Sequence, residues 1–340
     1  YEPVIIDVFG EWDNYEEIFS KNKISIEKLN LNNFFKEKNI RGYLKSRYYQ
    51  TKIFLLAFLP LLKLLKKNRP DFIILHLVTS LPLFLNMIFN FNTQTILRIS
   101  GLPKLNFLRL FFWKISLKKI NIITSPTNAT MCYLKSKLNF KNIYLLRDPI
   151  LDISNIKKEK NNINKNSKKF VAIGRLTRQK NFLFLIKCFN ELIRKNPKIK
   201  LYILGEGEDF DKLDNFIKIN NLKKNIFLEG YKKNIYDYLK SSEAFILSSL
   251  WEDPGFVLIE AAYANTTIIS SNCKNGPIEI IDNDKNGFLF ESNNKKNFLK
   301  VFDKFENSKI SSIYEKRLNA KKMSKKYSLF YHYKEFIKIL

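Results

Sequence analysis

The sequence predicts an α/β protein built on two parallel sheets, and three observations carry that prediction. Short apolar strand candidates recur along the chain with helical stretches between them, the pattern of parallel strands joined by covering helices. A segment dense in Asn and Lys and nearly free of aromatics, 152–169, separates these candidates into two groups. With 340 residues, 45% hydrophobic and 27% charged, the chain has the length for about two domains and a globular composition.

In order along the chain, the first group of strands is expected at Val4–Val8, Phe72–Leu77, Thr95–Ile99, Ile120–Ser125 and Ile143–Leu146. The second is expected at Phe170–Ile173, Lys200–Leu204, Ile226–Glu229, Ala244–Leu247 and Thr267–Ser270. From Tyr314 to Leu340, apolar and aromatic residues fall at helical spacing with no strand signal, so the tail reads as helical. These elements divide the chain into a domain over 1–150, a linker over 151–168, a domain over 169–313 and a terminal helix over 314–340. The chain opens at Tyr1 and runs at once into a strand, which reads as a first domain lacking its own N-terminus.

Charge is the most unusual feature of the composition. The net charge is +27, and between Lys38 and Arg147 there are 19 basic residues against one acidic residue, Asp71. That segment expects an anionic partner, either nucleic acid or an anionic lipid surface. The chain is also rich in Lys, Asn and Ile throughout, so solvated faces account for part of the excess. No ribonucleoprotein, helix-turn-helix or zinc-finger pattern accompanies the charge, which leaves nucleic acid the weaker choice. Cys132, Cys188 and Cys273 are odd in number and far apart, so neither a disulfide framework nor a zinc site is indicated, and a reducing compartment is expected.

Membrane contact can be read from two stretches. Gln50–Lys67 and Lys104–Ile120 are apolar, aromatic and flanked by lysines. As interfacial helices they would insert Leu, Phe and Trp113 among acyl chains while lysines meet lipid phosphates; as core helices they would only snorkel their lysines to water. No run of about 18 consecutive apolar residues occurs. The best stretch, Ile53–Leu65, is broken by Pro60 and Lys63, so no spanning helix is expected.

The residues that carry chemistry lie between Phe170 and Phe290. A strand is followed by Gly174-Arg175-Leu176-Thr177-Arg178-Gln179-Lys180-Asn181 and then an amphipathic helix. Gly174 allows a sharp turn, and Arg175 and Lys180 at the carboxyl edge of a sheet can clamp a diphosphate. Further on, Glu252 and Glu260 flank Asp253-Pro254-Gly255-Phe256-Val257. Pro254 suits the first position of a helix, and Gly255 lets the free N–H groups of Phe256 and Val257 face phosphate oxygens. Glu260 can then accept from a ribose diol and Glu252 from sugar hydroxyls; the plainer reading of this segment is a capped helix with favourable acidic residues.

This ordered set resembles the family-4 glycosyltransferases. The resemblance is carried by Gly174-Arg175 with Lys180, Leu201–Glu208, Phe227–Gly230, the two glutamates in their Ser-Ser and Glu-Ala frame, Asn275-Gly276-Pro277 with Glu279, and Asn286–Leu289. It implies the GT-B fold, two facing Rossmann-like domains with a C-terminal crossover helix. It also implies a retaining transferase that needs no cofactor beyond a nucleotide-sugar donor, a UDP-sugar before a GDP-sugar. Arg175, Lys180 and Glu252 would be catalytic, with Gly174, Gly205, Gly255, Phe256, Val257 and Glu260 binding the donor. A basic clamp of this kind substitutes for a metal, so Asp209-Phe210-Asp211 and Asp282-Asn283-Asp284 read as structural and no metal site is expected.

In the first domain the sequence departs from that family. Its usual Gly-rich loop is absent, and Ser100-Gly101 stands where many members carry His-Gly. His76, Arg98, Ser100 and Lys104 are the candidates for acceptor contacts. The combined expectation is a transferase acting on a lipid-linked or polysaccharide-precursor acceptor, peripheral on the cytoplasmic face of the membrane. The alternative is a soluble transferase acting on a free sugar or small-molecule acceptor.

Overall fold

The computed structural model describes residues 2–8, 12–29, 31, 43–76, 80–89, 91–103, 105–151 and 168–340. By its contacts the chain forms two units, Tyr1–Ile99 with Lys104–Ile123, and Ser100–Pro103 with Thr124–Leu340. The segment 152–167, where the sequence places the linker, lies outside the described residues.

The first unit begins with a parallel pair, β1 (Val4–Asp7) and β2 (Ser25–Lys28), joined through α1 (Glu16–Lys21). The second strand of this pair was not expected, because Ser25-Ile26-Glu27-Lys28 is too polar and short to register as an apolar run. Then come α2 (Tyr43–Asn68), β3 (Phe72–His76), α3 (Ser80–Ile88), β4 (Gln94–Arg98), α4 (Phe107–Ser116) and β5 (Ile122–Ser125). The strands β3 and β4 run parallel with Phe72 opposite Gln94. With β5 and β6 (Ile143–Leu145) they make a four-stranded sheet of order β3-β4-β5-β6, α5 (Asn128–Leu138) leading into its last strand.

Helix α2 runs unbroken through Pro60. The proline removes one bond to the carbonyl four residues back, but Ala57, Leu61 and Leu65 repeat every four residues and bury the helix against Leu31, Leu81 and Leu85. Its opposite side leaves Leu55 and Leu59 exposed. By length and composition alone, Tyr48–Asn68 is long and apolar enough to cross a bilayer. On α4 the expectation for Trp113 reverses: Trp113 is buried, whereas Phe107 and Phe111 are 82% and 60% exposed. Helical spacing puts Trp113 on the core side and Phe107, Phe111 and Lys114 on the other, with exposed Lys118 in the turn that follows the helix.

The second unit is dominated by a six-stranded parallel sheet of order β12-β11-β10-β7-β8-β9. Its elements are β7 (Lys168–Ile173), α6 (Phe182–Lys195), β8 (Ile199–Leu204), α7 (Phe210–Ile219), β9 (Ile226–Gly230), α8 (Tyr236–Lys240), β10 (Ala244–Leu247) and α9 (Phe256–Tyr263). They continue as β11 (Thr267–Ser271), α10 (Pro277–Ile280), β12 (Phe288–Phe290), α11 (Lys295–Glu306), α12 (Ile310–Ser324) and α13 (Leu329–Ile339). The middle of the sheet is largely apolar because both faces are covered, and β10 (Ala244-Phe245-Ile246-Leu247) is buried at all four positions. On β7, Phe170 and Ala172 enter one core with Phe189, Phe298 and Phe302. Val171 and Ile173 enter the other with Phe245, Leu258 and Ile268. The three-residue edge strand β12 was not expected.

The tail is helical but interrupted. Ser328 caps α13 by accepting from Tyr331 N, and the carbonyl of the buried Tyr327 accepts from Ile150 and Leu151 N at 3.1 and 3.3 Å. The segment before the linker is thus pinned to the turn between α12 and α13.

Candidate active site

In the second unit the expected donor residues gather at the carboxyl ends of β7, β8 and β10, the edge where open parallel sheets bind ligands. Gly174 ends β7 with φ +154°, and a Cβ there would lie 2.8 Å from Lys180 Cε, so the Lys180 stem crosses directly over it. Gly205, at φ +134°, would bring a Cβ within 2.0 Å of the Gly174 carbonyl oxygen. Only glycine permits these two loops to close on each other.

Lys180 Nζ lies 2.5 Å from Glu252 Oε1, with the two side chains 12% and 5% exposed. Ser249 Oγ donates to the same carboxylate oxygen at 2.5 Å. The loops carrying this pair are stitched together: Ser248 Oγ donates to the Lys180 carbonyl, Leu250 N to the Gln179 carbonyl, and Gln179 Nε2 to the Trp251 carbonyl. Glu252, expected to accept from sugar hydroxyls, has its Oε1 paired with Lys180 and Ser249, because β10 and β7 are neighbours and bring the two loops side by side. Arg175, by contrast, is exposed.

Helix α9 starts at Phe256, so Pro254 precedes the helix rather than opening it. Gly255 is the cap residue, at φ +92°, a left-handed conformation suited to glycine. The N–H groups of Phe256 and Val257 in the first turn have no intrahelical partner and can face an anion. Glu260, one turn on, has its carboxyl pushed up to about 7 by burial. A Cβ on Gly276 would collide with the Pro254 carbonyl, which places the Asn275-Gly276-Pro277 turn against this loop.

Glu279 from that turn spans the N-terminus of α5: its Oε2 and Oε1 accept from Asn128 N and Ala129 N at 2.8 and 2.7 Å. The Asp-x-Asp triplets lie where lysines reach them. Asp282 pairs with Lys285, Asp284 with Lys304 and Asp209 with Lys212. Among the described residues no group of three His, Cys, Asp or Glu could hold a metal.

The acceptor candidates fall elsewhere. His76 and Arg98 end the paired strands β3 and β4 in the first unit, with Arg98 Nη1 3.4 Å from His76 Nδ1. Ser100 follows β4 and groups with the second unit. Lys104 lies outside the described residues. Ser248 and Ser249 had been read only as the frame of the two glutamates and Asp253 only as part of the segment between them.

Parallel sheets covered by helices, with glycines, cations and carboxylates at one carboxyl edge, define an α/β protein whose structural neighbours are GT-B glycosyltransferases. The crystal structure of Anabaena HepE in complex with UDP superposes with a TM-score of 0.77 over 99% of each chain at 12% identity. The family model described as glycosyl transferases group 1 matches residues 154–327, half of the chain, and the chain belongs to that family. A glycosyltransferase of Methanocaldococcus jannaschii is 36% identical over 247 residues, covering 65% of this chain and 60% of that protein. The UDP-Gal:alpha-D-GlcNAc-diphosphoundecaprenol alpha-1,3-galactosyltransferase of Escherichia coli is 31% identical over 176 residues, 51% of this chain and 45% of that one. The chain therefore spans less than two thirds of these relatives' length.

Proposed function

We propose that this chain is a retaining, metal-independent glycosyltransferase. It moves a hexosyl or N-acetylhexosaminyl group from a nucleotide-diphosphate sugar, UDP-linked before GDP-linked, to a lipid-linked or polysaccharide-precursor acceptor at the cytoplasmic membrane face. The carrying observation is the Lys180–Glu252 pair at the carboxyl edge of β7 and β10, with Arg175 exposed beside Gly174. As the C1–O bond of the donor breaks, its electron pair goes to the diphosphate, and the charge that develops there is offset by Arg175 and Lys180. The first-turn amides of α9 hold phosphate oxygens, and Glu260 accepts from the ribose diol. Residues 1–150 act as the acceptor domain, with His76, Arg98, Ser100 and Lys104 nearest the acceptor, and 169–313 as the donor domain.

A lipid-linked acceptor is favoured by the name of the Escherichia coli relative, whose acceptor is a diphosphoundecaprenol, and by the outward face of α4. There Phe107 and Phe111 precede Lys114, and Lys118 follows in the next turn, the order of an apolar wedge beneath a cationic collar. Thermal shift against UDP, GDP, ADP and their sugar conjugates, repeated with Glu260→Ala, tests the donor site. One base should stabilise the protein and fail in the variant; no shift for any would sink the reading. Activity should survive EDTA, and a loss that magnesium restores would overturn the metal-independent mechanism.

A further inference from the structure

Helix α13 (Leu329–Ile339) carries apolar residues on two faces, and its own unit uses one of them. At about 3.6 residues per turn, His332, Phe336 and Ile339 fall on one side. There His332 Nδ1 lies 2.6 Å from the Arg147 carbonyl oxygen, and the His332 ring stacks on Phe336 with centroids 6.4 Å apart. Leu329, Phe330, Tyr333, Ile337 and Leu340 fall within an adjoining arc of about 100°, and they are 38–70% exposed. One apolar arc is enough to seat a helix on a fold, and the side left to water is ordinarily polar. A continuous row of five large apolar side chains on that side marks a contact surface.

The charges around the row say what it meets. Lys334 and Lys338 follow its outer border, and Lys325 and Lys326 stand in the turn that leads into the helix, all four exposed. The one acidic residue between 325 and 340 is Glu335, whose carboxylate is paired with Lys338 at 2.8 Å. Aliphatic side chains and tyrosine rings bordered by lysines match the boundary of an anionic bilayer: acyl chains receive the row, headgroup phosphates the lysines, and the Tyr333 hydroxyl keeps to the wet edge. A second copy of the chain fits poorly. Helix α13 has 11 residues, so the row is about 16 Å long, too small for the roughly 800 Å² that each partner of a stable pair contributes. Pairing through it would also bring two lysine-rich borders together.

We infer that α13 is a membrane-docking helix of the second unit, its outer row entering the headgroup region of an anionic phospholipid bilayer while Lys325, Lys326, Lys334 and Lys338 meet lipid phosphates. This contact deepens the membrane-face reading above and stands on residues that reading does not use. It sets the unit that carries the Lys180–Glu252 site against the lipid surface through its own helix, apart from α4 in the first unit.

The test is co-sedimentation of the full chain with vesicles of mixed phosphatidylglycerol and phosphatidylcholine, and of phosphatidylcholine alone, at low and at physiological salt. The wild type should bind the mixed vesicles about tenfold or more tightly than the neutral ones and lose affinity as salt rises. Phe330→Gln with Ile337→Gln removes two apolar side chains and no charge. It should lower partition into mixed vesicles about tenfold or more, with the melting temperature within about 2 °C of wild type because both positions are exposed. Lys334→Gln with Lys338→Gln keeps the row and should lower partition about tenfold at low salt, with a shallower salt dependence. This second pair decides the matter if the first fails to fold. Either folded pair binding as well as the wild type would overturn the docking. If that happens while Phe107→Ala with Phe111→Ala weakens binding, the membrane reading survives on α4 alone. A wild type that binds neither vesicle removes both. A wild-type dimer that Phe330→Gln with Ile337→Gln splits, seen by sedimentation velocity, would give the row to a second copy and likewise overturn the docking to lipid.

Discussion

Lys180 and Glu252 meet as a buried ion pair, Nζ to Oε1 2.5 Å, from loops that follow different strands of the same sheet. The pair holds Lys180 over Gly174 before any donor arrives, and it ties the proposed phosphate cation to the loop before α9. Removing one member leaves the other charged and buried, which costs about 3–5 kcal/mol. Lys180→Ala is therefore expected to lower both turnover and melting temperature. Arg175→Ala, at an exposed position, should leave stability within about 0.5 kcal/mol of wild type while turnover falls about 10²–10³-fold. Calorimetric melting beside steady-state kinetics separates the two, and equal melting losses would contradict the difference in burial.

Glu260 should make donor binding depend on pH. Its folded-state pKa, about 7, lies above its ordinary 4.5 because burial disfavours the charge. The folded protein thus holds this proton more tightly than the unfolded chain, so its contribution to stability falls as pH rises from about 4.5 through about 7. Ligand binding runs the other way, because the ionised form is the better acceptor for a ribose diol. Affinity for UDP-glucose, whose diphosphate keeps constant charge over this range, is expected to rise between pH 6 and pH 8, about a unit either side of that midpoint. Glu260→Gln should flatten the profile, and a flat wild-type profile would count against the role.

Helix α4 yields a test in which burial and exposure predict opposite outcomes. Phe107→Ala and Phe111→Ala should leave stability within about 0.5 kcal/mol and weaken co-sedimentation with phosphatidylglycerol vesicles. Trp113→Ala should cost about 3–5 kcal/mol through the cavity it leaves. Unchanged vesicle binding in the double Phe variant would remove α4 from the membrane reading.

The three thiols should divide sharply. Cys132 is exposed, whereas burial pushes Cys188 up to about 12 and Cys273 up to about 11. Mass spectrometry after brief iodoacetamide treatment at neutral pH is expected to find one alkyl group, on Cys132, and three only after unfolding. Native labelling of Cys273 would mean that the loop beyond β11 opens.

Much of the second unit was legible in the linear chain, because a parallel strand covered on both faces is an uninterrupted apolar run. β7 and β10 were therefore visible, whereas β2 and β12 were not: one is polar and paired at a margin, the other three residues long. The glycines were legible for a related reason, since Gly174 and Gly255 sit where the chain must turn sharply between an apolar strand and a helix. Trp113 was misread because an aromatic residue beside lysines suits a core and an interface equally, and only its neighbours in space decide.

The sequence by itself determined the alternation of strands and helices, the place of the basic loop and of both glutamates, and the family. These are local properties, written in hydrophobic period, turn chemistry and spacing. Tertiary structure decided which of those residues meet. Sheet order, not sequence order, makes β10 the neighbour of β7 across 70-odd residues and turns Lys180 and Glu252 into one buried pair. It likewise brings Leu102 N to Asp253 across 151 residues. Such contacts depend on which strand lies beside which, and no window of sequence holds that information.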